Sequence, residues 1–214
     1  MEVLGHVVDV HFLKGFDFGA VDFEAYCGEH GGAYGHGSCR YFGAGELGFC
    51  GGEGGAGIGG GAKGSASNIT ISGGEVTAAG GNALKIEDRD AVEILAGAGI
   101  GGGGDGNGSN ITISGGTVTA TGGENAAGIG GGTRGNGNNI TISGSTTTAI
   151  GGDAPVKEES GDALVFGKGG GAGIGGGAYG EGNNITVKFN AQVTAKGQVN
   201  AAKNGKGNTE KDKE

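Results

Sequence analysis

The sequence predicts an all-β fold. It reads as a single-stranded parallel β-helix (β-solenoid) with about 29 residues per coil and two loop inserts. The first observation behind this is a fixed period. The isoleucine of a GIG triplet falls at Ile58, Ile100, Ile129 and Ile174, and eleven residues lead from each to Ile69, Ile111, Ile140 and Ile185. Two more lead to Ile71, Ile113, Ile142 and Val187. The step from Ile100 to Ile129 is 29 residues; the steps of 42 and 45 are 29 plus inserts of 13 and 16. The second observation is a strand's period of two, since each I-T-I places two apolar side chains on one side and a threonine on the other. The third is a column of asparagines before the first isoleucine, Asn68, Asn110, Asn139 and Asn184, whose side chains can bond along the axis as a ladder when copies stack in register.

Composition sets the terms on which such a chain folds. Of 214 residues, 59 are glycine and one is proline. Glycine loses much entropy on ordering, so stability has to come from stacked repeats rather than a thick core. Collagen is excluded, because there is no G-X-Y triplet and almost no proline. The net charge of −9 offers no basic stripe to phosphates or anionic membrane surfaces, so neither nucleic acid nor membrane insertion is expected. No apolar run approaches the length of a transmembrane helix. The opening MEVLGHVVDVHFLKGF has no basic n-region and no long apolar h-region, so no signal peptide is recognisable in it. Three cysteines, all before residue 51, suggest no disulfide framework.

Taken in order, residues 1–26 differ in character: VVDVHF and AVDFEAY alternate as half-buried strands do. They read as an N-terminal cap or leader, or as the product of a wrongly placed start. Residues 27–204 form the solenoid. Its degenerate first coil, 27–55, aligns without a gap on 98–126. Glu46 and Leu47 then match Thr117 and Val118, Phe42 takes the place of Ile113, and Glu29 and Arg40 replace the GIG and NIT isoleucines, where they could pair. Four well-kept copies follow from near Gly57, Gly99, Gly128 and Gly173. Each offers a short strand at GIG, a second at NIT and a third such as Thr117–Ala120. Five or six such coils, stacked at about 4.8 Å, give a rod about 25–30 Å long. The inserts, 82–96 and 153–168, both follow the third strand's Gly-Gly and should leave from the same edge, two coils apart. The first is expected to make one or two helical turns with Leu84, Val92 and Leu95 inward. The solenoid ends near Asn204, and 205–214 is expected to be disordered.

The combination GAGIGGG, then G-N-NITISGG, then TVTATGG resembles glycine-rich β-solenoid repeats in large secreted proteins of Gram-positive, often gut-dwelling, bacteria. The resemblance covers about residues 50–200. It implies a stalk or adhesin part of a surface protein, some of which are linked to polysaccharide binding. The implied location is extracellular or at the cell surface, although this chain shows neither the signal peptide nor the anchor that such proteins carry. The implied partner is a polysaccharide or a cell-surface glycan.

Among candidate sites, the column through Asp105 varies most between copies: Tyr34, Lys63, Asp105, Arg134 and Tyr179. It lies at a turn between fixed glycines and either presents recognition side chains or is an exposed turn that accepts any residue. Because the aspartate does not recur, a repeated calcium stack is not expected. The first insert carries Glu87, Asp88, Asp90 and Glu93, the second Glu158, Glu159 and Asp162. A carboxylate pair among these would serve as acid and base in a carbohydrate-active β-helix enzyme, a lyase or hydrolase; solvated loop charge is the commoner reading. Cys27, His30, His36 and Cys39 form C-x2-H-x5-H-x2-C, with His6 and His11 nearby. These are zinc-ligand types, set against the plainer reading as residues of a degenerate cap. No other cofactor is expected, and the repeated glycines do not make a nucleotide site, which needs a strand before and a helix after. Two threonine columns, Thr70, Thr112, Thr141, Thr186 and Thr77, Thr119, Thr148, Thr194 (the last displaced by one residue), should point outward. The sequence favours a non-enzymatic structural or adhesive module over the enzyme, and leaves the oligomeric state open.

Overall fold

The computed structural model describes residues 8–10, 38–41, 46–82, 84–88, 91–154 and 170–197. Three short strands precede the regular repeats: β1 (Val8–Val10), β2 (Ser38–Tyr41) and β3 (Glu46–Cys50). The second coil consists of β4 (Ile58–Gly59), β5 (Ala66–Ile71) and β6 (Glu75–Ala79). After it come β7 (Leu84–Asp88) and β8 (Ala91–Leu95). The third coil is β9 (Ile100–Gly101), β10 (Gly108–Ile113) and β11 (Thr117–Thr121). The fourth is β12 (Ile129–Gly130), β13 (Gly137–Ile142) and β14 (Thr146–Ile150), and the fifth β15 (Ile174–Gly175), β16 (Gly182–Val187) and β17 (Gln192–Lys196).

These strands make the three walls of a parallel β-helix. Wall A runs β1-β5-β10-β13-β16, wall B β17-β14-β11-β6-β3-β2, and wall C β15-β12-β9-β4. Equivalent residues stand directly over one another: Ile69, Ile111, Ile140 and Ile185 in wall A, and Ile58, Ile100, Ile129 and Ile174 in wall C. The predicted isoleucine columns are the core. Ile69, Ile71, Ile111, Ile113, Ile140 and Ile142 are fully buried, with Val76, Val118, Ala78, Ala120 and Ala149 from wall B closing on them. Wall C is only two residues long per coil, and glycine follows each isoleucine for a steric reason. Gly59, Gly101, Gly130 and Gly175 sit at φ near 135° (134°, 136°, 133° and 135°), and a Cβ at Gly101 would overlap the carbonyl oxygen of Gly130 in the next coil. The backbone is stacked there too closely for any side chain.

Four details differ from the sequence expectations. First, the first insert is not helical: β7 and β8 form an antiparallel hairpin with Leu84 opposite Leu95 and Asp88 opposite Ala91. LKIED alternates, and Ile86, Val92 and Ile94 are β-branched, so the short run suits a ribbon better than a helix. Second, of residues 27–55 the described strands follow a parallel coil only in part. Glu46 and Leu47 do stack on Glu75 and Val76, but Arg40 lies on β2, antiparallel to β3 and opposite Gly48, and not in wall A. Third, wall A's place at that level is taken by V-D-V of β1, with Val8, Asp9 and Val10 on Ile69, Thr70 and Ile71; its alternation repeats that of I-T-I, whereas Arg40 would place a charge in the core column. Phe42 and Glu29 lie outside the described residues, as do 198–214. Fourth, the one-residue displacement of Thr194 along the sequence does not carry into the stack. One extra residue is absorbed in the turn Lys188–Ala191, and β17 returns to register with Thr194 on Thr148.

Candidate functional site

The variable column is built by a left-handed residue at the turn between walls C and A. Lys63, Asp105, Arg134 and Tyr179 have φ of 61°, 62°, 64° and 69°. Such a backbone turns the chain after the glycine run and projects each side chain from the same corner. Arg134 and Tyr179 are exposed. Two members of the column engage each other across adjacent coils. Arg134 donates Nε–H to Asp105 Oδ1 at 2.6 Å and an Nη2–H to Oδ2 at 2.8 Å, a bidentate fork. An exposed pair of this kind contributes only about 0.2–1 kcal/mol, so it orients the two groups more than it stabilises the stack.

Beside the column runs a belt of stacked amides. The Asn68 ladder is formed as the sequence predicts. Asn110 Nδ2 donates to Asn68 Oδ1 at 3.2 Å, Asn139 to Asn110 at 3.1 Å and Asn184 to Asn139 at 3.0 Å. The sequence reading missed two further columns. Ser65 Oγ accepts the Asn107 N–H, Asn107 Oδ1 accepts the Asn136 N–H, and Asn136 Oδ1 accepts the Glu181 N–H. Asn183 Nδ2 donates to Asn138 Oδ1 at 3.2 Å. The signal was present in the spacing of 29 between Asn107 and Asn136, the same as between the ladder residues Asn110 and Asn139. The threonines Thr70, Thr112, Thr141 and Thr186 lie outward of this belt, partly or fully exposed.

Both inserts are rooted at the corner between walls B and C, and the brevity of wall C brings that corner against the variable column. At the first root Leu95 is buried and packs where Gly104, the neighbour of Asp105, leaves room; a Cβ on Gly104 would lie 2.6 Å from that of Leu95. The next residue, Ala96, is clamped by Thr133, the neighbour of Arg134. The Ala96 N–H donates to Thr133 Oγ1 at 3.1 Å, and the Thr133 N–H donates to the Ala96 carbonyl at 3.0 Å. At the second root the Asp153 carbonyl accepts the Asn125 N–H at 3.1 Å, and the Asn125 carbonyl accepts the N–H of Ala178, the neighbour of Tyr179, at 2.7 Å. Asn125 is itself buried, and its Oδ1 has no hydrogen-bond partner. The structure therefore brings three of the described column residues and both insert roots to one ridge of the prism, an association that sequence spacing does not reveal.

Of the insert carboxylates, Glu87 and Asp88 lie on β7, with Val92 and Ala91 as their partners in the hairpin register. Asp90 and the acidic residues 158, 159 and 162 lie outside the described residues, as do Tyr34, Cys27, His30 and His36. Cys39 is on β2 opposite Phe49. Among the described residues no group of three His, Cys, Asp or Glu side chains is placed to hold a metal ion, and no helix is long and apolar enough to cross a membrane.

Three parallel walls, an isoleucine core and register-locked copies define a β-solenoid module. Consistent with this, a family model described as a beta helix repeat matches residues 69–104, 111–133 and 140–161. No curated protein and no solved structure matches the chain.

Proposed function

We propose that this chain is a non-enzymatic structural and adhesive module of a bacterial cell-surface protein, and that it holds a polysaccharide weakly along the ridge described above. The carrying observation is the convergence of what differs between copies. Asp105, Arg134, Tyr179 and both insert roots share one ridge of an otherwise repetitive prism. A rod whose coils rise by about 4.8 Å advances by roughly the length of one pyranose residue per coil, so a chain laid along the ridge meets a new side chain at each step. Tyr179, 49 % exposed, offers a ring face for a sugar, and the Asp105–Arg134 fork offers hydroxyl acceptors and donors beside it. The alternative of a carbohydrate-active enzyme draws on Glu87 and Asp88, and the hairpin register gives neither an acidic cross-strand partner.

Affinity electrophoresis through a panel of neutral and acidic polysaccharides, with analysis of the polymers for new reducing or unsaturated ends, tests both readings. Retardation without cleavage is expected. Tyr179→Ala and Arg134→Ala together should reduce retardation about tenfold, the loss of a stacking face and of a charged donor. Cleavage abolished by Glu87→Gln or Asp90→Asn would overturn the proposal in favour of the enzyme. Passage of the protein unretarded through every polymer would remove the glycan partner and leave a purely structural role.

A further inference from the structure

The last coil differs from those inside the stack in what it leaves uncovered. Ile140 and Ile142 are fully buried, yet the residues stacked on them, Ile185 and Val187, are not: Ile185 is partly exposed and Val187 45 % exposed. In wall B, Val193 and Ala195 are partly exposed where Ala149 and Thr147 are buried. Phe189, in the turn between β16 and β17, is 102 % exposed. Among the described residues, the strands β15, β16 and β17 are each the final strand of their wall, so all three walls end at the same level in an edge that no described strand pairs. The other end is closed in two of its walls, by β1 over β5 and by β3 and β2 over β6. A second molecule stacked head to tail would have to displace those strands, whereas two molecules meeting at their fifth coils displace nothing that is described.

The geometry points to a second copy of this chain as the occupant of that edge, in a two-fold symmetric, end-to-end dimer. In such an arrangement β16 pairs antiparallel with its own copy. A two-fold axis through Thr186 sets Ile185 opposite Val187 of the other molecule, and Val187 opposite its Ile185, so the isoleucine column continues from one rod into the next. The same register sets Asn184 opposite Lys188. This is complementary in chemistry as well as shape. The ladder runs one way, each amide donating to the coil before it, so among the described residues the Asn184 oxygen at the end of the column accepts from no further amide, and Lys188 of the other molecule brings an ammonium donor to it.

The test uses the full chain. Sedimentation equilibrium over a range of concentrations should show a monomer–dimer equilibrium, and Val187→Lys should weaken it on the order of a hundredfold by placing two unpartnered charges at a desolvated edge. Because Val187 is already half outside the core, β-sheet circular dichroism should persist in that variant. A second readout does not depend on affinity. Thr186→Cys stands on the axis, within disulfide reach of its own copy. It should yield a 186–186 linked peptide by mass spectrometry on mild oxidation, and Thr112→Cys, in the third coil, should not link to itself. A strictly monomeric wild type would overturn the inference, whether residues after Gly197 or nothing at all covers the edge. So would a dimer that survives Val187→Lys and leaves Thr186→Cys unlinked, since the contact would then lie on another surface.

Discussion

The interior of the fourth coil holds a hydroxyl where its neighbours hold methyl groups. Thr147 takes the position of Val76 and Val118, is buried, and its Oγ1 lies 3.0 Å from Ser145 Oγ. Ser145 in turn stands where other copies have glycine, at Gly74 and Gly116. The two departures from the repeat therefore compensate each other within one turn. Replacing Ser145 by Gly, which restores the repeat, should lower stability by about 1–3 kcal/mol, because Thr147 keeps a buried hydroxyl without its partner. Adding Thr147→Val should recover most of that loss; urea unfolding of the single and double variants measures it. The asparagine ladder shows how far single residues were legible. The side-chain bonds followed from the column alone. The backbone did not: Asn68, Asn110, Asn139 and Asn184 have φ of 59°, 53°, 53° and 54°. Asparagine is used there because it accepts the left-handed conformation as well as because it stacks. A sequence pattern reports that a residue recurs, and two physical reasons for one residue look the same in it.

At the scale of the element, the first insert shows where periodicity stops deciding. Its position was fixed by counting from Ile58 to Ile100, but over so short a run apolar residues at Leu84, Val92 and Leu95 suit a helix and a hairpin about equally. The contacts at its root settle the matter, and they explain residues that look arbitrary in the repeat. The position occupied by Ala62 and Ala178 is Gly104 beside the first insert, because Leu95 fills that space, and Thr133 one coil further on, because Ala96 needs partners. Gly104→Ala, harmless by analogy with the other copies, should cost about 1–3 kcal/mol by overpacking against Leu95. The atoms nearest the added Cβ are the Cβ, carbonyl carbon and Cα of Leu95, all of which alanine keeps, so the double variant with Leu95→Ala should regain little of that loss; thermal unfolding of the single and double variants measures it.

For the molecule as a whole, the sequence yielded the class of fold, the core columns and the shared edge of the inserts, since all three follow from the period. It did not yield how the stack begins. β1 enters wall A from a segment that shows no repeat, and β2 turns back on β3, both set by contacts far apart in sequence. A stack in which each coil touches only its neighbours should unravel from its ends. Hydrogen exchange followed by mass spectrometry, at dilutions where the chain is monomeric, should accordingly find the slowest amides in β10 and β13 and distinctly faster exchange in β16 and β17. Uniform protection across the four regular coils would mean that the rod unfolds only as one unit.

The steps of 42, 29 and 45 residues between successive wall C isoleucines all become the same rise in space, because each isoleucine pairs in register with the next. Distance along the chain is thereby uncoupled from distance along the rod. The molecule behaves as a graduated scale whose interval is set by the length of a backbone hydrogen bond, about 4.8 Å between strands, and by nothing in the loops. Loop length can then drift without altering the spacing at which side chains on the ridge are offered to a long, repetitive partner.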